Sequence, residues 1–190
     1  MTLSEVLAQL ESLKSGKVRD INVNVTGAKK ELDTQVPSVK MGDLRVLAKQ
    51  IKQDHSLGLQ LWECGDIDAQ LLGILLLSPK KLSAEELDSM VYSVNSTQLA
   101  DWLNSYVVKL HPVKEYLREG WTDSDREMAR RAGWSLTTER VIKRPEGLDL
   151  DGLLTRLESS MGREVATVQW TMNYCLAEIG KILPSIGHGR

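Results

Sequence analysis

The sequence predicts an all-α protein, a right-handed solenoid of antiparallel helix pairs. Two features of its 190 residues lead to this prediction. Apolar residues recur at steps of three and four along almost the whole chain, which is typical of amphipathic helices. The five prolines, at positions 37, 79, 112, 145 and 184, are 42, 33, 33 and 39 residues apart, and each interval can hold two helices. Because proline disrupts a helix interior, each one marks the passage between helical units.

An internal similarity supports the repeat. Trp62 begins the segment Trp-Glu-Cys-Gly-Asp, and Trp121 begins Trp-Thr-Asp-Ser-Asp. Each segment leads into a predicted helix that contains a glycine, Gly73 or Gly133. The period is closest in length to helix pairs of the HEAT type, and an irregular helical bundle is the alternative. We predict one HEAT-like domain over residues 1–190, with its function on a concave face.

The individual elements follow from the apolar stripes and from the start signals of helices. The stripes predict helices over residues 3–13, 41–51, 66–78, 97–110, 124–141 and 164–183. Ser83–Glu86 and Ser124–Glu127 match the capping box, in which a hydroxyl and a later carboxylate satisfy backbone groups at a helix start. Strand-like alternation occurs at Ile21, Val23 and Val25, a segment too short to build a sheet by itself.

Two of these helices carry a second stripe beside the apolar one. The expected core stripes are Leu99, Leu103, Val107 and Leu110 in one helix, and Val165, Val168, Met172, Leu176, Ile179 and Leu183 in the other. The stripes beside them share the order Trp, Tyr, Lys, and consist of Trp102, Tyr106 and Lys109, and of Trp170, Tyr174, Ala177 and Lys181. The helix between them carries Arg126, Arg130, Arg131, Trp134 and Arg140.

Aromatic faces beside lysine and arginine are suited to hold a nucleobase while a cation binds phosphate. The alternative is structural, because aromatic residues beside a core stripe often widen it and arginine stems cover apolar surface. Residues 1–53 carry nine Lys/Arg against six Asp/Glu, and residues 109–144 again carry nine against six. Two basic stretches can therefore form a local anion-binding surface although the net charge is −2.

Other classes of protein fit poorly. The longest apolar run, Leu71–Leu77, is far shorter than the roughly 20 residues of a membrane span, and the N-terminus does not resemble a signal peptide. Cys64 and Cys175 form no CxxC motif, and His55, His111 and His188 lack metal-ligand spacing. There is no GxGxxG, P-loop or GxSxG motif. We therefore expect a cytoplasmic monomer without cofactor or metal.

Five short motifs between residues 40 and 184 match a known pattern when they are considered together. They are Gly42-Asp-Leu-Arg45, Leu59-Gln-Leu-Trp62, Asp101-Trp-Leu-Asn-Ser-Tyr-Val-Val108, Met128-Ala-Arg-Arg-Ala-Gly-Trp134 and Val168-Gln-Trp-Thr-Met-Asn173. With these motifs the chain resembles the DNA alkylation repair family, the AlkD-like DNA glycosylases. The resemblance implies HEAT-like repeats and the excision of cationic N-alkylated purines from duplex DNA. It also implies that this chain, which ends soon after Pro184, lacks a last helix.

The resemblance further implies roles for particular residues. Family members whose chemistry is understood use a Trp, an Asp one turn later, an Arg on the following repeat and a further aromatic residue. Carried over by motif, Trp102 fits the first position, Arg131 the arginine, and Tyr174, with Trp170 nearby, the last aromatic. Indole faces attract a cationic nucleotide, and a carboxylate stabilises the positive charge that develops on the sugar.

The expected carboxylate is replaced by Tyr106. A phenol with a pKa of about 10 is neutral at pH 7 and supplies no fixed negative charge. Asp101 is not an easy substitute, because five residues at ~3.6 per turn place it about 140° away around the helix. The resemblance therefore supports the fold and DNA contact more strongly than glycosylase activity.

Two functions remain open at this point. The first is a DNA repair protein that binds alkylated or damaged duplex DNA, with N-alkylpurine glycosylase activity as its stronger form. The second is a non-catalytic HEAT-like module that binds DNA structures or a protein partner. The candidate catalytic residues are Trp102, Tyr106, Arg131 and Asp101. The candidate DNA-binding residues are Lys109, Arg130, Trp134, Trp170, Tyr174 and Lys181.

Overall fold

A computed structural model describes residues 1–19 and 36–186. This part of the chain is helical apart from one short ribbon of two strands, so the prediction of an all-α fold is confirmed. Its α-helices are α1 (Leu3–Leu13), α2 (Met41–Ile51), α3 (His55–Glu63), α4 (Ile67–Leu76), α5 (Ala84–Ser93), α6 (Thr97–Tyr106), α7 (Lys114–Thr122), α8 (Glu127–Lys143), α9 (Leu150–Ser160) and α10 (Ala166–Ile186). No helix within these residues is long and apolar enough to cross a membrane.

The ribbon was not predicted. Strand β1 (Ser15–Arg19) pairs antiparallel with β2 (Val36–Ser38), with a register irregularity between Ser15 and Val18. The two strands are five and three residues long, too short to show a clear period of two. The strand-like residues at positions 21, 23 and 25 lie outside the described part of the chain.

The helices form two compact units. The first comprises Met1–Leu87 and Ser93–His111. Its centre is α4, which packs against α2, α3 and α6. The apolar side chains of α4 that are buried lie on several sides of the helix, namely Ala69, Leu71, Leu72, Ile74 and Leu76. A helix that is apolar all round is stable only when neighbours cover it, so α4 forms the core of this unit.

The second unit comprises Asp88–Tyr92 and Pro112–Arg190. Here the long helix α8 packs against α7 on one side and α10 on another. One hydrophobic cluster joins α8, α9 and α10, and its buried members are Trp134, Val141, Leu157, Val168, Met172, Cys175 and Ile179. Because Cys175 lies inside this cluster, burial raises the pKa of its thiol to about 11.

The predicted Trp–Gly repeat corresponds to the same packing contact in both units. A Cβ atom at Gly73 of α4 would lie 3.3 Å from the backbone nitrogen of Trp62 in α3. A Cβ atom at Gly133 of α8 would lie 2.8 Å from the carbonyl carbon of Trp121 in α7. In each pair the glycine therefore lets two helix backbones approach closely beside a tryptophan.

Several predicted helix details are wrong. Helix α6 ends at Tyr106 and a 3₁₀ turn follows, so Leu110 leaves the core stripe and is exposed. Val165, which precedes α10, and Leu176 on α10 are also exposed, whereas the buried positions between them include Cys175. Residue type alone predicts a longer apolar stripe, whereas the buried face is set by the neighbouring helix that covers it.

Some of the predicted helix starts and ends are correct and others are wrong. The capping box at Ser83 is present, with the Ser83 hydroxyl and the Glu86 carboxylate each accepting a backbone N–H. The one expected at Ser124 is absent, because α8 begins later and the Ser124 hydroxyl accepts from the backbone of Arg126 instead. Pro184 lies within the last turns of α10 rather than at a boundary between helical units.

We expect Gly133→Ala to lower the free energy of unfolding by about 1–3 kcal/mol, because the added methyl group would meet the backbone of α7. The matched control is Gly120→Ala in α7, where no atom from another element of the described chain lies within 4 Å of the added Cβ. That change should stabilise the helix by about 0.5–1 kcal/mol. Urea unfolding of both variants measures the difference. Equal stability of the two variants would show that the close approach at Gly133 is not a constraint.

Candidate functional site

Three side chains of the first unit form an aromatic and cationic cluster. The Trp102 and Tyr106 rings on α6 have centroids 5.2 Å apart. The Arg45 guanidinium of α2 lies 5.0 Å from the centroid of the Trp102 ring. Its Nε and Nη2 atoms both donate to the Tyr106 hydroxyl at 3.4 Å. We call these three residues the Arg45 cluster.

The cluster is positioned by two helices that run in the same direction. Residues 98, 102 and 106 share one face of α6, because they are four apart. Gln98 donates to the Met41 sulphur, and Trp102 contacts Arg45, so positions 41 and 45 of α2 meet positions 98 and 102 in the same order. Beneath this face, Leu99 and Leu103 of α6 are buried.

The electrostatics of the Arg45 cluster differ from those of a site for cationic bases. A guanidinium over an indole is held by the negative potential of the ring face, and this is the same potential that would attract a cationic nucleotide. The arginine also meets a phenol at position 106, where a carboxylate would neutralise it. The cluster therefore presents a positive charge beside flat, partly exposed rings, which is suited to phosphate and to neutral bases.

The two aromatic candidates of the second unit are strongly exposed. Trp170 is 71% exposed and Tyr174 is 55% exposed, one turn apart on α10. Lys181 continues this face, and its ammonium pairs with Glu178 at 2.6 Å. The hydrogen bond from Lys181 to Glu178 raises the pKa of the lysine, so it remains charged at neutral pH. Exposed flat rings at this spacing provide a stacking surface.

Two candidates lie in the interior, which corrects the sequence-based assignment. Trp134 is 1% exposed within the core of the second unit, under the Arg156 guanidinium at 5.2 Å from its ring centroid. Arg131 is 5% exposed, and its Nη1 donates to the backbone oxygen of Thr167 in α10. Neither side chain can contact DNA from these positions. Both belong to the buried face of α8, which the motif alone does not distinguish from the exposed one.

The remaining candidates occupy intermediate positions. Arg130 is partly buried, pairs with Glu164 at 3.2 Å and donates to the backbone oxygen of Ser124. Lys109 lies in the 3₁₀ turn after α6 and is partly buried, and Asp101 is exposed on α6 itself. Trp102 and Tyr106 belong to the first unit, whereas Arg130, Trp170 and Tyr174 belong to the second. That these residues share one binding surface stays a prediction.

Arg45 was not predicted from the sequence to be a site residue. It lies 61 residues before Tyr106, and its motif gave no indication of a partner on α6.

Within residues 1–19 and 36–186, no three His, Cys, Asp or Glu side chains lie together in a way that could hold a metal ion. His111 is buried and its Nε2 contacts the backbone oxygen of Leu82 at 3.0 Å, a structural role in a turn.

Comparison with known proteins identifies the family. Residues 28–185 match the family described as DNA alkylation repair enzyme, which is most of the chain. The protein belongs to this family.

The chain is also similar to uncharacterized proteins of Listeria monocytogenes and Listeria innocua. It is 25% identical to each over 177 residues, which cover 91% of this chain and 76% of the relative. A solved structure with a TM-score of 0.77 and 20% identity covers 94% of this chain and 76% of its own. It represents "a new family of proteins related to the HEAT-like repeat DNA glycosylases with affinity for branched DNA structures". The HEAT-like fold predicted from the sequence is thereby confirmed.

We expect Leu99→Ala or Leu103→Ala to lower the free energy of unfolding by about 2–5 kcal/mol, because each buried leucine would leave a cavity. Trp102→Ala should cost clearly less, since this indole is only partly buried. Thermal or urea unfolding of the three variants measures the difference. If Trp102→Ala is as destabilising as the leucine changes, Trp102 is a core residue and the Arg45 cluster is structural.

We expect Arg131→Ala to lower the free energy of unfolding by about 1–3 kcal/mol, because the backbone oxygen of Thr167 loses its buried donor. Arg163→Ala is the matched control. Arg163 is exposed and donates to the backbone oxygen of Ser159, so its removal should change stability by less than about 0.5 kcal/mol. Unchanged stability of Arg131→Ala together with weakened DNA binding would show that this arginine leaves its buried position to bind phosphate.

Proposed function

We propose that this protein binds DNA at damaged or branched sites and does not excise cationic alkylpurines. The observation on which this depends is the Arg45 guanidinium over the Trp102 ring, with the Tyr106 phenol where a carboxylate would be expected. A cationic base approaching this indole would meet a like charge. Membership of the DNA alkylation repair family and the likeness to a protein with affinity for branched DNA support DNA as the partner.

The Arg45 cluster is suited to DNA in which a base is unstacked or a strand is displaced. Trp102 and Tyr106 offer partly exposed rings for stacking, and Arg45 offers a charged donor for phosphate. Trp170 and Tyr174 offer a second stacking surface on α10. Stacking is tolerant of base identity, because every base has a flat face. We therefore propose recognition of DNA structure rather than of one lesion.

Binding is tested by fluorescence anisotropy with a forked DNA and a blunt duplex of the same stem. Wild type should bind the forked DNA more tightly, with an affinity that falls as salt rises. Arg45→Ala should weaken binding and reduce the salt slope by about 1, because one phosphate contact is lost. The matched control is Lys80→Ala, which removes one exposed cation from the same unit and should leave binding close to that of wild type. Salt-independent or absent DNA binding would contradict the proposal.

Excision is tested by the release of methylated purines from alkylated DNA. Wild type should release them at least about 10²–10³-fold more slowly than an enzyme with the carboxylate, because one charge-stabilising group is missing. Tyr106→Asp alone should add little, since Arg45 would pair with the new carboxylate. The double variant Arg45→Ala/Tyr106→Asp should release more purine than Tyr106→Asp. Rapid release by wild type, abolished by Asp101→Asn, would instead establish a glycosylase whose carboxylate is Asp101.

A further inference from the structure

The second unit contains a groove that none of the sequence motifs indicated. It has a volume of about 440 Å³ and lies between the residues that begin α7 and the last two turns of α8. Pockets of roughly 300–1,000 Å³ hold small molecules, so there is room for more than a single phosphate group. Leu136 of α8 and Pro112 give the groove an apolar wall. All its lining residues lie within the second unit.

The lining of the groove is positively charged. Its cations are Lys114, Arg140, Lys143 and Arg144, and two carboxylates, Glu115 and Glu139, also line it. The net charge of the lining is therefore +2. Lys143 is 67% exposed, and Arg144 is exposed at the end of α8. Exposed cations at the mouth of a groove attract an anionic ligand.

One of the residues that line the groove is a buried carboxylate with an unused oxygen atom. Glu139 is 8% exposed, and its Oε1 accepts from Lys114 at 2.9 Å and from Lys143 at 2.8 Å. Burial raises the pKa of the Glu139 carboxyl, but the hydrogen bonds from both lysines outweigh burial and lower it, so the group is charged at neutral pH. Its Oε2 is buried and has no hydrogen-bond partner among the described residues.

A donor beside this carboxylate is also unused. Arg140 pairs with Glu115 at 3.7 Å and donates from Nη2 to the backbone oxygen of Glu146. Its Nη1 is buried and meets no acceptor within the part of the chain that the structure describes. Buried polar atoms normally have partners, so an unused acceptor and an unused donor in one groove require an explanation.

We infer that this groove binds one unpaired nucleotide of DNA, with its phosphate on Lys143 and Arg144 and its base edge on Glu139 and Arg140. The Watson–Crick edge of a base presents N–H donors next to acceptor atoms, which is the complement of Glu139 Oε2 and Arg140 Nη1. In a duplex that edge is already paired, so only an unpaired base can form hydrogen bonds with these two groups. The inference rests on the proposed DNA binding and adds a second site, away from the Arg45 cluster, that reads the absence of pairing.

The test uses the full chain, fluorescence anisotropy, and two labelled probes: a forked DNA with two unpaired thymine arms and a blunt duplex of the same stem. The double variant Lys143→Ala/Arg144→Ala, called the rim variant, removes the two exposed cations at the mouth of the groove. It should weaken the binding of the forked probe more than that of the blunt duplex. The salt slope for binding of the forked probe should fall by about 1.4, because each single-strand phosphate contact contributes about 0.7. Arg163→Ala, which removes an exposed cation elsewhere in this unit, should change neither affinity.

Glu139→Gln separates base recognition from simple charge attraction. The change raises the net charge by one, so phosphate attraction alone predicts tighter binding of both probes. If the carboxylate accepts from a base, the preference for the forked over the blunt probe should instead fall about tenfold, because a hydrogen bond to a charged group is lost.

Lysine acetylation tests the same groove in the wild-type protein, without a variant. The forked probe should protect Lys143 more than the blunt duplex does.

Each outcome has a defined consequence. If wild type binds the forked probe and the rim variant binds it equally well, the groove is not a DNA site, while the proposed function stands. If the rim variant weakens both probes equally and Glu139→Gln tightens both, the groove contacts duplex phosphate only, and the inference of an unpaired nucleotide is overturned. If wild type binds neither probe, the proposed function fails and this inference fails with it.

Discussion

The close approach of paired helices at two glycines is the constraint on which the rest of the structure depends. Gly73 places α4 against α3, and Gly133 places α8 against α7, with backbone atoms nearer than a side chain would allow. This packing orients the helix that follows each tryptophan. On α8 it directs Trp134 and Arg131 inward and leaves the end of the helix to form the groove. Because the paired helices contact each other through their backbones, the side chains at these contacts have little freedom to move. A ligand can therefore bind only to the faces that no helix covers.

In the proposed function, the position of one arginine decides what the Trp102–Tyr106 face of α6 binds. The indole of Trp102 is a suitable surface for a cationic base until Arg45 is placed over it. A guanidinium that already uses the negative face of the ring turns the same aromatic pair toward phosphate and neutral bases. The replacement of the expected carboxylate by Tyr106 and the contact with Arg45 act in the same direction, because both remove negative potential from the site. Under the proposed function, this combination lets a member of the family keep the fold without the negative charge that stabilises the sugar during excision.

The cations of the protein differ in how accessible they are, and this bears on how DNA would be bound. In the first unit Arg45 contacts aromatic rings at the surface. In the second, Arg131 is buried and donates to the backbone of α10, whereas Arg144 and Lys143 are exposed beside the groove. A cation held inside the fold contributes to stability and cannot release counterions from DNA. The number of basic residues in a stretch is therefore a poor guide to its DNA contacts.

The sequence by itself determined the all-helical class, the Trp–Gly repeat, the Ser83 capping box and the exposed pair Trp170 and Tyr174. These features depend on local spacing, because three or four residues per step fix which side chains share a face and which glycine can meet a neighbouring backbone. The tertiary structure alone decided that Trp134 and Arg131 are interior, that Leu110 and Leu176 are not, and that Arg45 reaches Tyr106 across 61 residues. It also assembled the groove from the start of α7 and the end of α8. Spacing along one helix cannot specify which second helix covers it, since that depends on contacts between residues far apart in the chain.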